Sequence, residues 1–204
     1  MNLRNLWTRK TRGCLNVMAG LSRTHPLFRL LAGLTQRNFT VHLGWPDTEV
    51  IGYLTDVLVD FVHVDRVYKI RDARGRRVEE VAEMLAEGDL LQRASSLERE
   101  HAVHKHIGDY TLFIAGVFPE YVRRLRASKT LISADAFLDY IQVGKRSYRI
   151  VSEFPSDFPG GSPPLFRKLS DNFELCVYGL GYVRADLDRL RDPNFQQAKG
   201  HLLG

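Results

Sequence analysis

Residues 48–68 read TEVIGYLTDVLVDFVHVDRVY and carry the most regular apolar pattern in the chain. The apolar positions recur at alternating spacings of four and three residues, which place them along one side of an α-helix. These positions are Val50, Leu54, Val57, Phe61, Val64 and Tyr68. Glu49 lies in the first turn, where the helix dipole favours an acidic side chain. The stretch therefore predicts a long helix with its apolar face in the core.

Helical patterns also lie on both sides of this stretch. A short helix is predicted after Thr24, its candidate N-cap, with Pro26 in the first turn. Further helices are predicted over 78–91, from Ser95 or Ser96 to Gly116, over 121–127, from Ser133 to Val151, and from Pro163 to Leu190. In the last of these, the apolar positions up to Leu187 and Leu190 are predicted to face inward. Loops are predicted over 38–44 and 154–164. No window shows convincing alternation with a period of two, so the sequence predicts an all-α fold, a single-domain helical bundle of about six or seven helices.

The composition is that of one ordinary globular domain. The 204 residues are 44% hydrophobic and 26% charged, which suffices to bury a core without disulfides or metals. The two cysteines, Cys14 and Cys176, lie in different surroundings, so no disulfide framework is indicated and a cytoplasmic location is expected. No uninterrupted run of about 20 apolar residues exists, so no transmembrane segment is predicted.

The basic charge is concentrated at the N-terminus. Seven basic and no acidic residues precede Asp47, whereas the rest of the chain carries 22 basic and 24 acidic residues. Such a segment fits an arm for an anionic membrane surface or nucleic acid, a transit peptide, or a start assigned too early, with Met18 as the true initiator. We expect residues 1–23 to form a disordered or mis-assigned leader and residues 24–204 to form the helical domain.

Three of the seven histidines cluster in one predicted helix, at His101, His104 and His106. His101 and His104 would be about 60° apart around a regular helix, but His104 and His106 would be about 200° apart. The three imidazoles therefore cannot share one metal. The same geometry predicts that Glu98 and His101 face solvent together with Lys105.

A metal site across two helices remains an alternative. Helical bundles build di-metal carboxylate sites from carboxylates and histidines of facing helices. The candidate ligands, for iron or manganese, are Asp56, Asp60, His63, Glu100 and His104. Asp60 and His63 have the required i, i+3 spacing, although Asp replaces the usual Glu. The function implied is a metal-dependent helical-bundle enzyme or oxygen-handling protein, but amphipathic helices also place such residues on exposed faces by default.

Other candidate sites are weaker. Gly179 and Gly181 lie in the middle of a predicted helix, which indicates a close helix crossing or a kink, with a bound ligand as the alternative. Tyr178 and Tyr182 would line that ligand pocket or simply pack. No serine or threonine lies in a strained, glycine-flanked turn, and Cys176 is expected to be buried and unreactive. Nucleotide-binding glycine motifs are absent from the sequence.

The leading interpretation is a non-enzymatic helical binding or interaction module that needs no cofactor. Its expected partner is another protein or a second copy of the chain, bound through aromatic-rich helix faces, with the basic leader as a tether to an anionic surface. The short basic pieces at 74–77 and 123–129 alternate with acidic segments, so a nucleic-acid-binding face is not expected.

Overall fold

The computed structural model describes residues 22–61, 69–72, 74–75, 78, 81–88, 96–127, 136–158 and 162–203. These residues form an all-α fold, as predicted, and no strand occurs among them. The described helices are α1 (Pro26–Arg37), α2 (Thr48–Phe61), α3 (Val81–Gly88), α4 (Leu97–Val117), α5 (Pro119–Ala127), α6 (Ala136–Val151), α7 (Pro163–Asp171), α8 (Phe173–Leu190) and α9 (Pro193–Leu203). The described part thus holds more helices than the sequence predicted.

Helix α4 is the centre of the bundle. Ser96 begins it as the predicted N-cap, because its hydroxyl accepts a hydrogen bond from the Arg99 amide at 3.2 Å. Fifteen of its 21 residues are buried, far more than one amphipathic stripe would give. It packs chiefly against α6, α8 and α3. A helix covered on several sides buries polar side chains as well as apolar ones, and those side chains then need partners.

The predicted core of α2 is confirmed as far as the structure describes it. Val50, Leu54, Val57 and Phe61 are all buried. The Phe61 ring contacts the Phe113 ring edge-on, with 5.0 Å between ring centroids. The two last positions of the pattern, Val64 and Tyr68, lie outside the described residues.

The loop predicted over 38–44 is wrong. Helix α1 continues directly into a π-helical turn, Asn38–His42, in which the Leu43 amide donates to the Asn38 carbonyl at 3.1 Å. The Asn38 side chain donates to the Leu34 carbonyl and to the carboxylate of Asp186 on α8. These bonds tie the turn to α8, a tertiary contact that no local pattern could reveal.

The last predicted helix is in fact two helices, followed by a third. The helix is interrupted at Asn172, whose backbone and side-chain amides both donate to the Lys168 carbonyl at 3.0 Å. Helix α8 then ends at Leu190, with Arg191 as its C-cap, and α9 follows after Asp192. Leu190, predicted to face inward, is 58% exposed because the chain reverses direction immediately after it.

Two mid-helix glycines mark close helix crossings. A Cβ built on Gly179 would lie 2.4 Å from the Phe39 ring, so the glycine lets α8 approach the π-helical turn. Helix α6 continues through Gly144, where a Cβ would lie 2.3 Å from the Phe173 ring, so this glycine lets α6 pack closely against that ring. The close-crossing interpretation of Gly179 is thus confirmed.

Candidate functional site

The proposed metal ligands are not assembled into a site in the described part of the chain. Asp56 is exposed on α2, and Asp60 accepts a hydrogen bond from Lys69 at 3.1 Å. Glu100 is half-buried on α4, while His104 is buried with its Nδ1 3.4 Å from the Ser147 hydroxyl. Within the described residues, no three His, Cys, Asp or Glu side chains lie close enough to hold one metal ion. His63 lies outside them, so the full five-residue set stays a prediction.

The histidine segment faces the core, contrary to the prediction for His101. This side chain is only 3% exposed, and the Phe154, Phe158 and Phe166 rings surround it at centroid distances of 5.1, 5.0 and 6.4 Å. Phe154 and Phe158 belong to the segment after α6, which folds over α4. Burial, and secondarily the charge of Lys105, lowers the pKa of His101, so the ring is held neutral.

A buried polar network is centred on Asp109, about two turns beyond His101 along α4. The Asp109 carboxylate accepts hydrogen bonds from the Tyr53 hydroxyl at 2.6 Å, the Tyr148 hydroxyl at 2.8 Å and the Lys105 ammonium at 2.8 Å. These four residues come from α2, α4 and α6, and we call them the Asp109 network. A Cβ on Gly108 would lie 2.5 Å from the Tyr148 ring, so this glycine lets Tyr148 reach the carboxylate.

The charges of the Asp109 network are matched internally. Burial first, and then the neighbouring carboxylate, raises the pKa of both Tyr53 and Tyr148, so both phenols stay protonated donors. Burial alone would lower the pKa of Lys105, but Asp109 more than reverses this and keeps the ammonium charged. The carboxylate therefore neutralises one cation and satisfies two hydroxyls. Such an arrangement joins three helices and leaves no free base for chemistry on a substrate.

Two further reactive side chains are enclosed by the bundle. Cys176 is fully buried on α8, as predicted, and burial raises the pKa of its thiol, which suppresses the reactive thiolate. The Ser147 hydroxyl beside His104 is also buried, in the middle of α6. Both residues lie inside a packed core, where a substrate would have no access.

A cluster of exposed aromatic side chains lies where the π-helical turn meets α8. Tyr178 is 59% exposed and Val41 is 70% exposed. The Tyr178 and Tyr182 hydroxyls are 2.9 Å apart, and the Tyr182 ring stacks on the His42 ring with 5.2 Å between centroids. We call Val41, His42, Tyr178 and Tyr182 the tyrosine surface. Tyr178, Tyr182 and His42 hold one another through these contacts, and Gly179, the chain neighbour of Tyr178, lies at the close crossing with the π-helical turn.

A small apolar cavity lies beside α9. It measures about 20 Å³, roughly the space of one water molecule, and its walls are almost entirely apolar. Its volume is too small for an organic substrate. The cavity therefore does not support an enzymatic function. It is relevant to the packing of α9, because Phe195 is one of its lining residues.

Sequence patterns found only part of these features. Tyr178 and Tyr182 are predicted as candidate pocket residues because they flank Gly179 and Gly181, whereas His42 lies in the segment predicted to be a loop. The i, i+4 spacing of Lys105 and Asp109 is a local sign of the Asp109 network, whereas its tyrosines lie 56 and 39 residues away from Asp109.

None of the helices in the described part of the chain has the length and apolar composition needed to cross a membrane. Comparison with known proteins found no matching family model, curated protein or solved structure.

Proposed function

We propose that this protein is a helical protein-binding module and that the tyrosine surface is its contact site. The observation that carries the proposal is the pair of the exposed Tyr178 and the half-buried Tyr182, held by a mutual hydrogen bond and by the His42 ring. Large aromatic side chains on a surface lose apolar hydration when a partner covers them, and tyrosine is enriched among interface hot spots. Fixed side chains also lose little conformational entropy on binding.

The chemistry of the tyrosine surface defines the kind of partner. Its side chains carry no formal charge apart from the titratable His42, and they combine apolar rings with hydroxyl groups. In the hydrogen-bonded pair, only one hydroxyl donates to the other, so the second keeps a proton for an outside acceptor. The matching partner presents apolar side chains next to a hydrogen-bond acceptor such as a backbone carbonyl.

The interior of the described bundle supports binding over catalysis. The Asp109 network satisfies its own charges, and Cys176 and Ser147 are enclosed. A cytoplasmic location and a tether to an anionic surface through residues 1–23 complete the proposal. Both rest on composition and charge alone.

The proposal is tested with three full-length variants, Tyr178→Ala, Tyr182→Ala and the control Leu97→Ala. Leu97 is 55% exposed on α4, so its truncation removes an exposed apolar side chain elsewhere on the bundle. Proteins retained by the wild type are identified, purified and titrated calorimetrically against the wild type and all three variants. We expect each tyrosine variant to weaken binding by about 10- to 30-fold. Equal affinity for all four proteins would overturn the proposal.

A further inference from the structure

Among the side chains of helix α9 that the structure describes, Phe195 alone is buried. Phe195 is 5% exposed, whereas the other described side chains of the helix are exposed or half-buried. The Phe195 ring stacks on the Phe118 ring, with 5.5 Å between centroids and 15° between planes. Two polar contacts of described residues also join α9 to α8: Lys199 donates to Asp188 at 2.9 Å and Gln196 donates to Asp188 at 3.4 Å.

Phe195 occupies a groove built by four other helices. The apolar walls of this groove, which we call the α9 groove, are Leu27, Leu31, Leu58, Phe113, Val117 and Leu187. The residual cavity of about 20 Å³ lies between these walls and Phe195, so the ring does not fill the groove completely. If α9 left, these apolar side chains would meet water, and the groove would remain complementary to a helix that carries Phe195.

The connection between α8 and α9 is short and strained. Arg191 has φ 51° and ψ 41°, and it is the one non-glycine residue with positive φ in the described part of the chain. The Asp192 amide donates back to the Leu187 carbonyl at 3.3 Å, which completes a helix stop whose left-handed position is normally taken by glycine. Opening the connection would let Arg191 return to an unstrained conformation.

An apolar side chain lies exposed beside this connection. Leu190 is 58% exposed at the end of α8, directly before the strained residue. Two extended residues span at most about 7 Å. A chain that passed α9 to a neighbour through Arg191 and Asp192 would therefore bring the ends of two α8 helices together, and the two Leu190 side chains would then cover each other.

We propose that two copies of this chain associate by exchanging α9, so that Phe195 of each copy occupies the α9 groove of the other. The bound segment is one whose fit the structure already shows, because every copy carries it. Exchange keeps the Phe195 and Lys199 contacts, relaxes Arg191 in both chains and buries Leu190, which the closed monomer leaves exposed. Short hinges under strain favour such exchange. This association does not involve the tyrosine surface, so either proposal can fail without the other.

The first test is the molar mass of the full-length protein as a function of concentration. We expect the wild type to shift from monomer to dimer as concentration rises. Leu190→Lys places charges in the new contact and should weaken the dimer at least about tenfold, while the control Leu97→Lys, at another exposed leucine, leaves it unchanged. Arg191→Gly removes the strain from the closed form and should also weaken the dimer by about tenfold or more. A protein that stays monomeric up to its solubility limit, or a dimer insensitive to both changes, would overturn the exchange.

The second test detects the exchange directly. Heavy-nitrogen-labelled and unlabelled full-length chains are mixed at high concentration, and a carbodiimide then couples the Lys199 amine to the adjacent Asp188 carboxylate. One amide bond forms, and the activated carboxylate oxygen leaves as the urea. Exchange predicts that about half of the coupled peptides from the dimer fraction join a labelled to an unlabelled chain. A dimer that yields only same-isotope peptides would refute exchange, whereas Tyr178→Ala should leave the mixed fraction unchanged.

Discussion

Helices α4 and α9 are held in the bundle in opposite ways. Helix α4 buries fifteen of its 21 residues, including Asp109, which pairs with the half-buried Lys105, whereas α9 buries Phe195 alone among its described side chains. Stability within one domain is rarely uniform, and segments with few buried contacts open first. The contrast shows that helical secondary structure by itself does not determine how readily a segment separates from the bundle. What distinguishes the two helices is how many interactions must be lost together when each of them separates from the bundle.

The largest expected effect is the loss of the carboxylate at the centre of α4. Asp109→Ala leaves the Tyr53 and Tyr148 hydroxyls without their acceptor and Lys105 with an uncompensated charge, so we expect a loss of about 3–5 kcal/mol in the free energy of unfolding. The matched control is Asp171→Ala, which removes an exposed carboxylate paired with Arg149 and Arg167. That change should cost less than about 1 kcal/mol. Urea denaturation measures both, and equal losses would show that the Asp109 network is not a structural centre.

A pair of phenylalanine truncations compares the two regions directly. Phe61→Ala, at the packed contact of α2 and α4, should cost about 3–5 kcal/mol. Phe195→Ala should cost only about 1.5–3 kcal/mol, because the loss is limited by the docking of α9, which can separate while the rest stays folded. Thermal denaturation gives the stabilities, and hydrogen exchange shows where they act: fast exchange should be confined to α9 in Phe195→Ala. Global acceleration there would contradict the view of α9 as a separable helix.

The glycine beneath the tyrosine surface gives the next effect. A Cβ at Gly179 would overlap the Phe39 ring, so Gly179→Ala should force the π-helical turn away from α8 and cost about 1–3 kcal/mol. At Gly33, on α1, no atom lies within 4 Å of the added carbon, so Gly33→Ala should stabilise the protein by up to about 1 kcal/mol. Urea midpoints should therefore move in opposite directions. A neutral Gly179→Ala would mean that the crossing is not tight.

The same contrast shows which buried positions could be predicted from the sequence. Apolar periodicity predicted the burial of Val50, Leu54, Val57 and Phe61 correctly. Apolar side chains that share one face of a helix lie in the core whichever helix packs against that face. It failed at Leu190, because periodicity continues to the end of a helix while burial depends on where the chain goes next. Nothing in the local pattern showed that the chain would reverse direction at Arg191.

Polar residues were less predictable than apolar ones. The helical position of His101 beside Lys105 indicated solvent, yet the phenylalanines that cover it follow α6, more than 50 residues further along the chain. The burial of Asp109 depends on hydroxyls from two other helices. Local spacing can show that a polar side chain lies on a given face, but only tertiary structure shows whether partners on that face permit its burial. The metal hypothesis depends on the same kind of tertiary information, since it requires Asp60 and His104 to face each other across two helices, and it stays a prediction.

The smallest effect is a pH dependence that arises from His101. Burial among phenylalanine rings lowers the pKa of this imidazole, so the unfolded chain binds its proton more readily than the folded chain does. The corresponding stability is present above the unfolded pKa of about 6.5 and is lost as pH falls toward the lower folded pKa, by less than about 1.4 kcal/mol per pH unit. Carboxylates with lowered pKa, such as Asp47 and Glu174, start from ordinary values of 3.8 and 4.5 and act below this window.

The test compares urea denaturation of wild type, His101→Phe and His42→Phe between about pH 5 and 8. His101→Phe keeps an aromatic ring in the cluster but removes the titrating group, so its stability should vary less with pH than that of the wild type. His42 is exposed, and its replacement should preserve the wild-type profile. If His101→Phe instead runs parallel to the wild type, the segment after α6 opens readily enough to hydrate the imidazole. This part of α4 would then resemble α9 in being loosely covered, and the contrast between the two helices would be confined to the Asp109 network.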